Sequence, residues 1–172
     1  YKSPPFRFFL FFGIMQQKMN NKSSSSSTQD GLKNWQQKCG SNAMPRWQDI
    51  DPSEIKPLLP NVVVIHVSHD PLDFIERITG DVILSHSSLN SMGKNWRDYE
   101  GRGPDSKIWK SMEEVVHNKK ASFQSIPYVG PQKYFKGIDT VTCPISDDGI
   151  TVNRVIVFVD YILRNDLLLE KE

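Results

Sequence analysis

TVNRVIVFVDYI, residues 151–162, decides how this chain folds. Val155, Val157, Val159 and Tyr161 occupy one parity of an extended chain, and Ile156, Phe158 and Ile162 occupy the other. A strand here is therefore apolar on both faces. Such a strand belongs in the middle of a sheet that is covered on both sides. The remaining sequence must supply its neighbours and the two covering layers.

The chain has 172 residues, enough for one domain with a real core and two tails. Lys plus Arg total 21 and Asp plus Glu total 20, a formal net charge of +1, which gives no electrostatic case for nucleic acid or for an anionic membrane. The two cysteines, Cys39 and Cys143, fall in a helical and an extended setting, so no disulfide framework is indicated and a reduced, cytoplasmic protein is expected. Residues 6–14 (FRFFLFFGI) are apolar but well short of the roughly 20 residues that span a bilayer. The serine run at 23–27 cannot bury enough apolar surface to offset its ordering entropy. Residues 1–27 are thus expected to be a disordered tail, or in part translated upstream sequence preceding a start at Met15 or Met19.

Leu32, Trp35 and Cys39 recur at spacings of three and four, which predicts a helix over 28–39 that Gly40 ends. Asp51, Pro52 and Glu54 form a helix-start signal with a capping box, and Pro57 and Pro60 limit that helix to a turn or two. A β-branched run predicts a strand at 61–68, turn residues follow at 69–73, and a second strand is expected at 74–79. A short helix at 81–87, a turn at 96–99 and a strongly amphipathic helix at 105–118 make a helical middle. Strands at 121–128, 134–144 and 151–162 then form an antiparallel meander, with the hairpin signal Asp147-Asp148-Gly149 before the last. For all five strands to share one sheet the first must pair with the last, placing 62–65 beside 155–159. The domain is expected to divide into a flanking helix and lead-in at 28–60, a five-stranded unit at 61–163 and a short tail at 164–172.

This order of elements resembles the PAS family, and within it small stand-alone bacterial PAS proteins. The matching residues are Trp35, Met44-Pro45, Asp49-Ile-Asp51-Pro52, Leu58-Leu59-Pro60, Arg77-Ile-Thr-Gly80 and Met92-Gly93-Lys94, spread over 32–162. The resemblance implies an α+β fold: a PAS-like five-stranded antiparallel sheet, a helical layer on one face and an N-terminal flanking helix. It also implies a non-enzymatic sensory or signalling module. Family members often end in an Asp-x-Thr triplet that couples the last strand to an output helix; here it reads Asp160-Tyr161-Ile162, without the Thr. With so little chain after it, output is expected in trans, on a separate signalling protein.

The candidate ligand-binding residues are Arg77, Trp96, Tyr99, Trp109, Tyr134 and Phe158: a guanidinium able to hold a carboxylate, and aromatic rings able to line a pocket. Leu32, Trp35 and Asp160 are the candidates for a dimer interface or for coupling. The helical middle covers one face of the last strand, so the helix at 28–39 is expected to cover the other, from the same chain or from a twofold partner, and a homodimer through it is expected. No pair among His66, His69, His86 and His117 has metal-ligand spacing, so no metal site is expected. Haem through His86 or His117 is not expected, nor is a flavin adduct, because neither cysteine has an Asn-Cys-Arg setting. The cofactor is left unknown. Two alternatives stand beside a small-molecule sensor: a ligand-free protein-interaction module with a filled core, and a small α+β enzyme using Arg77, Tyr134 and His86 around a cavity.

Overall fold

The last strand does sit in the middle of the sheet. The structure, a computed structural model, describes residues 26–88 and 90–164; the tails expected before and after fall, apart from residues 26, 27 and 164, outside them. Five strands, β1 (Val62–Ser68), β2 (Asp73–Thr79), β3 (Ser122–Pro127), β4 (Phe135–Ile145) and β5 (Arg154–Leu163), pair antiparallel in the order β2-β1-β5-β4-β3. The expected pairing of first and last strands holds residue by residue, with Val62 opposite Phe158, Val64 opposite Ile156 and Ile65 opposite Val155.

β5 begins at Arg154 and not at 151 because the hairpin's own side chains claim the preceding backbone. Asp148 accepts from the N–H groups of Ile150 and Thr151 at 2.8 and 2.7 Å and from the Ser146 hydroxyl at 2.9 Å, which holds its carboxyl far below the usual range. Asp160 lies within β5, three residues before its end at Leu163.

Helix α1 (Ser27–Cys39) starts one residue before the expected position, since Ser26 caps it by accepting from the Gln29 N–H at 3.1 Å. Gly40, at φ 56°, ends it. The helix lies across the outer face of β5 and β4. Gly31 passes directly over the Phe158 ring, where a Cβ would overlap the ring carbons. One turn on, the Trp35 indole N–H donates to the Pro144 carbonyl at 2.8 Å. Leu32, Trp35 and Cys39 are all buried by this docking. The outer face is thus covered by the chain's own helix, which removes the reason for placing a twofold partner there.

The expected helix at Asp51 does not form. Asp51 accepts from the Ser53 N–H at 2.8 Å in a tight turn, and Glu54, instead of reaching back, pairs with Lys38 at 2.7 Å. A 3-10 turn, Lys56–Asn61, takes up Pro57 and Pro60, because proline has no N–H with which to continue an α-helix.

Helices α2 (Asp81–His86) and α3 (Lys107–Asn118) cover the inner face together with a 3-10 turn, Trp96–Asp98. α3 starts at Lys107, two residues after the expected position, because Ser106 is its cap, accepting from the Trp109 N–H at 3.2 Å. Trp109, Met112 and Val115 form its buried face, flanked by half-buried Ile108 and Val116, as the periodicity predicts.

Candidate sensing site and its link to the flanking helix

Alternation along β5 assigns its side chains to two layers. Ile156, Phe158 and Asp160 point towards α1, and Val155, Val157, Val159 and Tyr161 point towards α2 and α3. On the inner face, Tyr161 enters a cluster built from three separate elements. His86, at the end of α2, stands edge-on to Tyr161 and Phe135 with ring centroids 4.7 and 4.8 Å away. Tyr128 stands edge-on to Phe135 at 5.3 Å and to Tyr161 at 5.9 Å. The Tyr128 hydroxyl donates to the His86 carbonyl at 2.7 Å and accepts from the Gln132 N–H at 3.2 Å, tying α2 to the turn before β4.

Two features give this cluster chemical character. The His86 Nδ1 is buried and has no hydrogen-bond partner among the described residues, on a ring that packs edge-on against Phe135 and Tyr161. The Tyr161 phenol is pushed up to about 12, first by burial and then by Tyr128. Because an acid with a raised folded pKa loses its proton first in the unfolded chain, stability is lost as pH rises from about 10 towards about 12. We expect an absorbance titration at 295 nm to show one tyrosine ionising only near that upper value or on unfolding; five tyrosines titrating together near pH 10 would contradict the cluster.

A second inner cluster holds two of the expected ligand-binding residues. Trp96 and Trp109 both pack on Phe74, at centroid distances of 5.4 and 4.8 Å. The Arg102 guanidinium lies 4.9 Å over the Trp96 ring and pairs with buried Glu76 at 3.1 Å. Tyr99 is half-buried, with the Lys94 ammonium 4.9 Å from its ring.

The other expected residues lie elsewhere. Phe158 is under α1, on the opposite side of the sheet from both clusters. Tyr134 is 41% exposed and only backs Phe135, at 4.6 Å. Arg77 is exposed because the β1–β2 register slips between Val64 and Ile65, pairing Val64 with Ile78 and Ile65 with Glu76; Arg77 is the extra residue of that bulge. Burial first, then Arg154 and Arg77, depress the His66 imidazole's pKa. His86 and Tyr161 are thus brought together in the inner cluster, whereas Arg77 and Tyr134 are exposed outside it. The parity of Tyr161 with Val155 was the available signal.

On the outer face Asp160 closes the N-terminus of α1. Its carboxylate accepts from the Ser27 N–H at 2.8 Å, the Thr28 N–H at 2.9 Å and the Thr28 hydroxyl at 2.7 Å. These satisfy donors that a helix start leaves unpaired and place a negative charge at the positive end of the helix dipole. Leu32 and Trp35 belong to the same docked helix, inside the core.

Among the described residues no group of three His, Cys, Asp or Glu side chains could hold a metal ion, and no helix is long and apolar enough to cross a membrane. Of the two histidines of the helical middle, His117 is exposed on α3 and the His86 ring packs edge-on against Phe135 and Tyr161. Cys39 and Cys143 are both free and buried on the α1 side of the sheet.

No curated protein matches the chain. Among solved structures it is similar to a sensory box sensor histidine kinase from Vibrio cholerae, at 20% identity and a TM-score of 0.45, over 65% of this chain and 90% of that one. A family model described as a PAS domain matches residues 23–98, from the run before α1 to the 3-10 turn carrying Trp96. That match falls on the flanking helix, β1, β2 and α2, and the strand order β2-β1-β5-β4-β3 completes the five-stranded antiparallel sheet, so residues 23–98 are similar to the PAS domain family.

Proposed function

We propose that the chain is a non-enzymatic sensor that takes a small molecule at the His86–Tyr161 cluster and reports it through the hold of Asp160 on α1 to a separate protein. The observation that carries this is the placement of two consecutive residues of β5. Tyr161 forms a wall of the inner cluster and Asp160 caps α1 on the outer face. A ligand shifts an equilibrium only by binding its two states unequally. One that bonds to the His86 Nδ1 must lie against Tyr161, and any shift of Tyr161 along or across β5 moves the carboxylate beside it. Binding is favoured over catalysis because a phenol held near 12 is far from the neutral range in which a general acid or base works.

A ligand-free interaction module is the second reading. The full burial of Phe74 and Trp96 favours it, since those rings fill the space that an inner pocket at that end would occupy. The cluster and the cap are separated by measuring amide exchange in Tyr161→Ala. Tyr161 does not bond to α1, yet exchange at residues 29–32 is expected to rise about tenfold relative to the amides of β1, equivalent to about 1.4 kcal/mol. Equal changes in α1 and β1 would mean that the inner face does not control the helix.

A further inference from the structure

The two edges of the sheet are finished differently. Along β2 the Gly93 N–H donates to the Glu76 carbonyl at 2.8 Å, Asn95 bridges Ile75, and the Asp73 carboxylate accepts from the Arg97 N–H at 3.1 Å, so a loop covers that edge. β3 forms the other edge. It pairs with β4 in unbroken register from Ser122 opposite Thr142 to Pro127 opposite Gly137, and among the described residues no backbone bond is made from its outer side.

Its sequence, SFQSIP, lacks the devices that protect an edge: it has no charged residue and no bulge, and only Pro127 closes one end. Around that end lie exposed apolar side chains, Ile126 at 44%, Val129 at 91% and Leu163 at 51%. Lysines flank the edge. Lys119 stands at the entry to β3, and exposed Lys133 and Lys136 stand at its exit, where the Lys136 carbonyl accepts from the Tyr128 N–H at 3.3 Å.

We propose that the β3 edge is a docking site for an extended peptide with alternating apolar residues between acidic ends, added as a sixth strand. The main-chain ladder supplies binding, and the lysines at either end select carboxylates. A second copy of this chain fits less well. Antiparallel twofold pairing would set Lys119 of one copy against Lys133 and Lys136 of the other, and like charges facing across a strand pair are destabilising.

The probe is a fluorescein-labelled peptide, Glu-Glu-Val-Thr-Val-Thr-Val-Glu-Glu, with a control carrying Lys in place of every Glu. The full chain is expected to bind the acidic peptide at least about tenfold more tightly than the control, and the exposed double variant Lys133→Glu/Lys136→Glu to lose about tenfold. Amide exchange should slow at 122–126 and stay unchanged along β2. Equal affinity for both peptides, protection at β2, or no binding overturns the proposal. Protection of β3 that rises with protein concentration in the absence of peptide also overturns it, by naming a second copy as the occupant.

Discussion

Trp96→Ala is expected to lower the unfolding free energy by about 3–5 kcal/mol, the range for removing a large buried aromatic side chain. The ring is fully buried, it is one of the two tryptophans packed on Phe74, and the Arg102–Glu76 pair closes over it. Its loss opens a cavity and hydrates an ion pair that is now largely shielded. Trp96→Phe separates packing from polarity. The indole N–H is buried without a partner among the described residues, so phenylalanine removes an unsatisfied donor costing about 1–3 kcal/mol while giving up part of the packing. The two terms oppose, and Trp96→Phe is expected within about 1 kcal/mol of the parent. Urea unfolding monitored by circular dichroism measures both variants. A phenylalanine variant as unstable as the alanine one would show that the N–H is satisfied by water.

Several parts of this arrangement are legible in the sequence alone. The double parity of 155–161 required a central strand, and the Leu32, Trp35, Cys39 stripe supplied the helix for its outer face. What the pattern left open was which parity faced which layer, because both are apolar. Phe158 was therefore expected to line a pocket and instead lies beneath Gly31. Tyr134 was expected where Phe135 stands, a difference of one residue that in a strand is a difference of face. Arg77 was displaced by a bulge, and an inserted residue leaves no mark in composition or period. At Asp51 the local capping signal was sound, but Pro57 and Pro60 outweighed it. The cap supplied by Asp160 joins residues 132 and 133 positions apart, beyond what local patterns report.

That distant cap gives Asp160→Ala a specific signature. Three hydrogen bonds to a carboxylate are lost at once, and the N–H groups of Ser27 and Thr28 regain only water. Bonds to a charged group contribute about 1.5–3 kcal/mol, and the charge at the helix N-terminus adds about 0.3–1 kcal/mol. One term opposes this. Asp139 lies directly opposite Asp160 in the β4–β5 ladder, so removing one of two facing carboxylates recovers up to about 1 kcal/mol. The net loss is expected near 2 kcal/mol, seen as a fall in melting temperature of roughly 5 °C. Asp160→Asn keeps an acceptor and relieves Asp139 but gives up the charge, so it should fall between the parent and Asp160→Ala. The location of the loss matters more than its size. Exchange should quicken through α1 first, because Gly31, Leu32 and Trp35 are held to β5 and β4 by packing that depends on where the helix begins. The Phe74–Trp96–Trp109 cluster lies on the far side of the sheet and should keep its protection. If α1 exchange in Asp160→Ala stays at the parent rate, Ser26 alone holds the helix start, and Asp160 cannot be the residue through which the inner face acts on it.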